Sequence, residues 1–431
     1  PLAQRHGGFE RVIFGKTAHA CEGSPNPWIG KPLVLLMFRR VDFTLRRVNV
    51  TPMTLHNRYP AISDLKARAK RRIPHFVWEY LDSATGVEAT QRRNRAALER
   101  VLLNPSILHG EFEPDLSVRL LGQEHPLPVG IAPVGMSGLI WPGAEQMLAR
   151  TAAKKSIPYT LSTVASQLPE DVGPHAGDNA WFQLYPPRDP GIRDDILGRA
   201  KAAGFGTLVL TVDVPVASRR ERQTRGGLTN PPKLTPRLAL QAAQCPAWRN
   251  GIRKTGMPRM RLMDSYSDIK GALPSTQHIG YLLRTSPDWD YFKSLREVWD
   301  GPLIVKGVCR PDDAARLTDE GADAIWVSNH AGRQFDGGPA TIETLPAVRA
   351  ATNLPVIFDS GIEGGLDVLR ALSLGADFVM LGRAFHYGLG ALGERGAAHV
   401  LDILRQDMIS NMGQLGAKTL KNLSDCLRTT Q

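Results

Sequence analysis

From Pro128 onward the chain repeats one pattern. Short apolar runs occur at 128–135 (PVGIAPVG), 157–163 (IPYTLST), 180–185 (AWFQLY) and 206–213 (GTLVLTVD). They continue at 302–308 (PLIVKGV), 322–330 (ADAIWVSNH), 354–361 (LPVIFDSG) and 376–385 (ADFVMLGRAF). Unbroken runs of this length are those of strands buried on both faces. Ala/Leu-rich stretches with helical spacing separate most of them, such as AEQMLARTAAKKS and PDDAARLTDEG. KAAGFGTLVL, DEGADAIWV and SLGADFVML each read helix end, glycine turn, strand. Strand–helix alternation predicts a parallel sheet, and the count of eight predicts a closed (β/α)8 TIM barrel of the α/β class. A doubly wound open sheet is the competing architecture.

Ahead of the barrel, 62–81 reads as a helix broken at Pro74, its second half holding Tyr80, and 88–103 carries another helical pattern. Residues 1–55 show no such periodicity. They are expected to be an extension that is disordered or lies upstream of the native start, leaving 56–431 as a single barrel. One stretch interrupts the repeat, at about 214–300 between the fourth and fifth strands, too long for a simple helical connection. Its last part, DWDYFKSLREVWDG, returns to helical spacing. Long loops at the C-terminal rim of a barrel cover the site or bind something.

Composition sharpens the picture in two places. The 431 residues are 42% hydrophobic and 22% charged, enough for a large core. The net charge of +11 is concentrated, because 219–261 holds eleven Lys/Arg against one acid, Glu221. Such a cluster suits an anionic surface, and its Arg, Pro, Leu and Trp mixture favours lipid headgroups over nucleic acid. A solvated basic loop is the plain alternative. Cys21, Cys245, Cys309 and Cys426 form no C-x-x-C pair, which speaks against a zinc site or a disulfide framework. The apolar run 32–38 is too short to span a bilayer.

In a barrel the chemistry sits where strands end. The ends carry Pro133–Gly135, Ser162-Thr163, Gln183–Tyr185, Thr211–Asp213, Lys306, His330 with Arg333, Asp359–Gly361, and Gly382-Arg383. The sixth end, SNHAGRQ at 328–334, delivers a base that titrates near neutrality and an arginine fork suited to a carboxylate. After the seventh and eighth ends, Gly364-Gly365, a helix N-terminus and Arg383 outline a phosphate site. With Lys306 on the fifth strand, this suggests a phosphorylated cofactor across the barrel mouth, the lysine facing negative charge that builds on it. No G-x-G-x-x-G follows a strand, so a Rossmann-type dinucleotide site is unsupported. No His/Cys/acid cluster has metal-ligand spacing.

From about residue 60 to the C-terminus the sequence resembles the FMN-dependent L-2-hydroxy acid dehydrogenase/oxidase family. S-N-H-x-G-R-Q at 328–334 carries the likeness, with F-Q-L-Y, T-V-D, V-K-G and L-G-R in the right order. Within the family, LPVGIAPVGMSGLIWPG and the long insertion look most like the membrane-associated bacterial L-lactate and mandelate dehydrogenases. The resemblance implies that His330 is the base, oriented by Asp213. Tyr80 and Arg333 would hold the substrate carboxylate, Tyr185 would contact its hydroxyl, and Arg220 would support the charged transition state. FMN would lie against the backbone of Ala132, Pro133, Val134 and Gly135, bonded by Ser162, Gln183, Thr211 and Ser328, with Lys306 beside N1 and O2. Asp359 and Ser360 would take the ribityl side, and Gly361, Gly382 and Arg383 the phosphate.

The implied reaction is oxidation of an L-2-hydroxy acid, L-lactate first, to the 2-oxo acid, with electrons passed to a quinone or cytochrome. The implied setting is a homo-tetramer at the inner face of the cell membrane, touching it peripherally and binding no nucleic acid. A peroxide-forming soluble oxidase and a mandelate dehydrogenase are the near alternatives; an FMN-barrel isomerase or a silent flavin protein is the distant one. Two departures from the family pattern stand out. Glu363 occupies a phosphate-motif position where members commonly have Arg, and Ser83-Ala84-Thr85 replaces a glycine-rich turn.

Overall fold

The computed structural model describes residues 54–228, 235–266 and 284–428. Of the expected N-terminal extension, residues 1–53 lie outside the described residues, as do 229–234 and 267–283 of the insertion. The eight apolar runs form eight parallel strands: β3 (Val129–Ile131), β4 (Tyr159–Ser162), β5 (Ala180–Leu184), β6 (Thr207–Thr211), β7 (Leu303–Val308), β8 (Ala324–Val327), β9 (Val356–Phe358) and β10 (Phe378–Leu381). They pair in sequence order and close from β10 back to β3, as a (β/α)8 barrel requires. The open-sheet alternative is excluded by that closure.

Two features escaped the periodicity. A hairpin precedes the barrel, β1 (Val118–Leu120) paired antiparallel with β2 (Gln123–His125). Its turn residues Leu121 and Gly122 both have positive φ, 47° and 83°, the conformation a two-residue hairpin needs. Each strand has three residues and mixed polarity, too short to show alternation. Leu120 packs into the barrel's interior cluster with Trp181, Trp326 and Phe378, closing its floor.

The second feature is the insertion, which is helical: Glu221–Gly226, Pro236–Ala243, Pro246–Thr255 and Arg261–Asp264. Pro236 and Pro246 open their helices at the first turn, where a missing N–H costs nothing. Leu238, Trp248, Leu262 and Met263 are buried. Trp248 donates its indole N–H to Leu139 O at 2.8 Å and meets the Phe76 ring edge-on at 6.0 Å. These helices therefore sit over the C-terminal rim.

Two helices outside the repeat matter for the site. Ile62–Arg72 buries Ile62, Leu65 and Ala69, one helical face. It stops because Pro74 disfavours helical backbone at Ile73, and Pro74 then opens His75–Asp82. Ile62–Arg72 lies parallel to Arg383–Leu392, the helix after β10. Lys66 stands over the Tyr387 ring (5.4 Å), a Cβ on Gly390 would touch Ala69 Cβ at 3.0 Å, and Arg68 and Arg72 both donate to Ala391 O.

Candidate active site

Side chains alternate across a strand, so parity decides which of them face the barrel interior. The inner apolar layer includes Trp181, Val209, Ile304, Trp326, Ile357 and Met380. Two residues further along the same strands stand Gln183, Thr211, Lys306, Ser328, Asp359 and Gly382, with Ser162 in register beside Gln183. The barrel thus ends in a buried polar layer at its C-terminal mouth. Above it opens a cavity of about 1050 Å³ lined by Ala132–Gly135, Tyr80, Tyr185, Arg220, His330, Arg333 and Arg383.

His330 and Asp213 meet as a pair. Nδ1 of His330 lies 3.1 Å from both Asp213 carboxylate oxygens, which fixes Nδ1 as the protonated nitrogen and leaves the Nε2 lone pair as the basic site. Burial works against the Asp213 carboxylate, yet His330 and Lys306 outweigh it and hold it below the usual range. His330 moves down from its ordinary value, through burial and the neighbouring cations Lys306 and Arg220, against the pull of Asp213. Gly307 makes room for this pair: its φ is +111°, and a Cβ there would stand 2.6 Å from Asp213 Cβ.

Backbone strain marks the same place. His330, Ala331 and Gly332 have φ of 56°, 53° and 74°. Each non-glycine residue held there costs about 1–3 kcal/mol, so neighbouring bonds must over-determine the turn. They do: His330 N donates to Ser328 Oγ (3.1 Å), Ala331 N to Ser360 Oγ (3.0 Å), and Thr85 N to Gly332 O (3.1 Å).

Lys306 is buried. Its Nζ donates to Ser328 Oγ at 2.8 Å and stands 3.5 Å from Asp359 Oδ2. Burial would lower its pKa, but Asp359 and Asp213 outweigh that and raise it, so the ammonium persists. Asp359 also accepts the indole N–H of Trp326 (3.0 Å) and the hydroxyl of Ser360 (2.7 Å). Trp326 is a site residue the sequence reading missed, although its position two before Ser328 on an inward-facing strand could have revealed it.

The two rim arginines share one support. Arg333 Nη1 donates to the carbonyls of Tyr80, Leu81 and Ser83 at 2.9–3.2 Å, and Arg383 donates to those of Leu81 (3.2 Å) and Ser83 (2.9 Å). These carbonyls end His75–Asp82, the negative pole of that helix. Nε and Nη2 of Arg333 carry no protein hydrogen bond among the described residues. Burial, with Arg220 and Arg383 nearby, lowers the Arg333 pKa. Tyr80 donates its hydroxyl to Gly135 O at 2.7 Å. Tyr185 is raised by burial first and Asp213 second, and the Arg284 guanidinium lies 5.4 Å over its ring. Arg220 takes φ +48° and bonds Ser218 Oγ through Nε at 3.0 Å. Arg284 was not anticipated, and Gly307 entered only as the last residue of V-K-G, without its role beside Asp213.

Whether these residues suit a flavin nucleotide is tested by what they leave unmet. Ser162 Oγ donates to Gln183 Oε1 (2.9 Å), but Gln183 Nε2 and Thr211 Oγ1 are buried without a partner. Both stand in the polar layer at the mouth, where a ring with carbonyl and imide groups would satisfy them. At the phosphate end the outcome differs from the glycine-turn expectation. The helix after β9, Gly365–Ser373, meets carboxylates at its start: Glu363 N donates to Asp367 (3.0 Å) and Leu366 N to Asp407 (3.1 Å). The helix after β10 starts at Arg383 with no side-chain cap, which leaves its N-terminus to receive an anion. Glu363 is turned outward, its side chain 56% exposed, with Oε1 3.7 Å from Lys66 Nζ. The residues therefore fit the group.

Comparisons of the sequence and of the fold converge on one group of proteins. The family described as FMN-dependent dehydrogenase matches residues 69–429. The L-lactate dehydrogenase of Ectopseudomonas mendocina is 40% identical over 373 residues, 85% of this chain and 98% of that protein. That of Pseudomonas aeruginosa strain LESB58 is 40% identical over 370 residues, 84% and 96% of the two. Among solved structures, the monotopic membrane protein (S)-mandelate dehydrogenase superposes with a TM-score of 0.82 at 32% identity, covering 86% of this chain and 99% of that one. Mandelate oxidase gives 0.72 at 31% identity, covering 86% and 98%.

Proposed function

The chain belongs to the FMN-dependent dehydrogenase family, and from that premise we propose that its cavity oxidises an L-2-hydroxy acid, L-lactate first, to the 2-oxo acid. The observation that carries the site assignment is the His330–Asp213 pair beside two cavity-lining arginines. When bound, FMN supplies the two-electron acceptor that side chains lack. The protein's part is proton handling and orientation. The outward nitrogens of Arg333, with Tyr80 once its hydroxyl turns from Gly135 O, hold the substrate carboxylate, and Tyr185 and Arg220 face the hydroxyl-bearing carbon. Nε2 of His330 takes the substrate proton, and Asp213 stabilises the imidazolium. Lys306 would supply fixed positive charge toward the bound cofactor, Gln183 and Thr211 would hydrogen-bond it, and Arg383 would hold its phosphate.

A larger apolar substrate is the second reading. Past His330 the cavity continues beneath the insertion, along Leu228, Leu238, Ile252 and Met257, room that lactate's methyl does not use. Anaerobic mixing with L-lactate and then L-mandelate, followed at the flavin band near about 450 nm, tests both. Bleaching by lactate is expected; bleaching by mandelate alone would transfer the assignment, and bleaching by neither would reject the site. Reoxidation by a quinone but not by air is the expected sign of a dehydrogenase, and rapid reoxidation by air would make it an oxidase.

The His330 shift sets the pH dependence. The base must be neutral, and its pKa lies below the usual ~6.5. Flavin reduction at low substrate should be flat above about pH 6.5 and decline only on further acidification. A decline already complete at pH 7 would contradict the depressed value.

No helix among the described residues is long and apolar enough to cross a membrane. The insertion supports peripheral contact instead: Val216, Leu240 and Met257 are exposed beside Arg219, Arg253 and Lys254, a mixture suited to anionic headgroups. That contact suits a quinone or cytochrome acceptor.

A further inference from the structure

We propose that Lys66 is a phosphate-binding residue of the cofactor site, supplying from the helix Ile62–Arg72 a cation that the acidic turn at Glu363 does not provide. The inference rests on the FMN reading above. A cofactor phosphate at the start of Arg383–Leu392 meets Arg383, whose guanidinium is partly committed to the Leu81 and Ser83 carbonyls. The turn after β9 offers it no second cation, because Glu363 stands there and points outward, and this leaves a phosphate dianion poorly balanced. Lys66 lines the same end of the cavity as Glu363 and Arg383.

The fold brings it there. The close contact of Ala69 with Gly390 sets the two helices side by side, and one turn back on each places Lys66 over Tyr387. Because the helices run parallel, both N-termini, with their partial positive charge, point to this end. Lys66 Nζ is held by two carboxylates, Asp82 Oδ1 at 3.4 Å and Glu363 Oε1 at 3.7 Å. Asp82 also receives the Tyr387 hydroxyl at 2.7 Å and is paired with Arg222. Asp82 is thus fixed from behind and keeps the ammonium at the rim. Lys66 is about one-third exposed, so its flexible stem can turn Nζ from Glu363 to an incoming phosphate.

The test compares FMN with riboflavin, which lacks the phosphate. Full-chain holoenzyme is diluted and flavin release is read as recovery of fluorescence, then repeated after exchange with riboflavin. Lys66→Met is expected to weaken FMN retention by about 10- to 100-fold, the loss of one charge-assisted hydrogen bond, and to leave riboflavin unchanged. Lys66→Arg should restore retention, and Glu363→Gln should hold FMN as tightly as the parent or more so. Riboflavin binding serves as the control for folding. Equal loss of both flavins in Lys66→Met, or no loss of FMN, would overturn the proposal. A parent chain that retains neither flavin would instead overturn the cofactor reading.

Discussion

Replacing His330 by alanine should slow flavin reduction by L-lactate by about 10²–10⁴-fold, the usual contribution of a placed general base, with FMN still bound. The imidazole bonds only to Asp213 among the described residues. The cofactor contacts assigned to Ser162, Gln183, Thr211 and Lys306 do not pass through it. The fold should also survive. The turn at 330–332 is held by backbone N–H bonds to Ser328 and Ser360 that alanine preserves, and alanine at φ 56° is strained much as histidine is. Anaerobic stopped-flow at the flavin band separates the two quantities. A yellow protein that no longer bleaches is the expected result, and one that bleaches at the parental rate would remove His330 from the chemistry.

Lys306→Met should do two kinds of damage. The ammonium sits buried between Asp359 and Asp213, so a methionine leaves two carboxylates without their cation. Breaking such a buried arrangement costs about 3–5 kcal/mol, and thermal unfolding of the variant should move down accordingly. Under the cofactor ring, loss of fixed positive charge should lower flavin reduction by about 10²–10³-fold, the scale of removing one preorganised electrostatic donor. A variant that melts with the parent and is reduced as fast would exclude Lys306 from both roles.

The barrel was legible because each strand is an uninterrupted apolar run. Reading where the runs stop gave the rim residues from Gln183 to Arg383 in one pass. Strand parity then explains why Gln183, Thr211, Lys306, Ser328 and Asp359 turn inward, since each follows an interior core residue by two positions. What stayed hidden depends on distant partners. Nothing local to Arg333 or Arg383 announces that both will converge on the carbonyls at the end of His75–Asp82. Lys66 belongs to a helix that reads as an ordinary amphipathic segment, and its place is decided by a contact with Gly390, more than 300 residues later. The helices of the insertion went unassigned apart from its last part, and two of its prolines open them. The hairpin at 118–125 was too short and too polar to register. The Ser83-Ala84-Thr85 turn is accommodated by bonds from Ala84 to Glu88 and from Thr85 to Gly332, while Ser83 Oγ is left buried and unpaired.

The floor under the polar layer has its own bearing on turnover. Leu120, Trp181 and Trp326 fill the far end of the barrel, so nothing of substrate size can leave downward. Hydroxy acid enters and keto acid leaves through the same upper doorway. Bulk added at that doorway would therefore slow entry and exit alike, even with every group of the polar layer left in place.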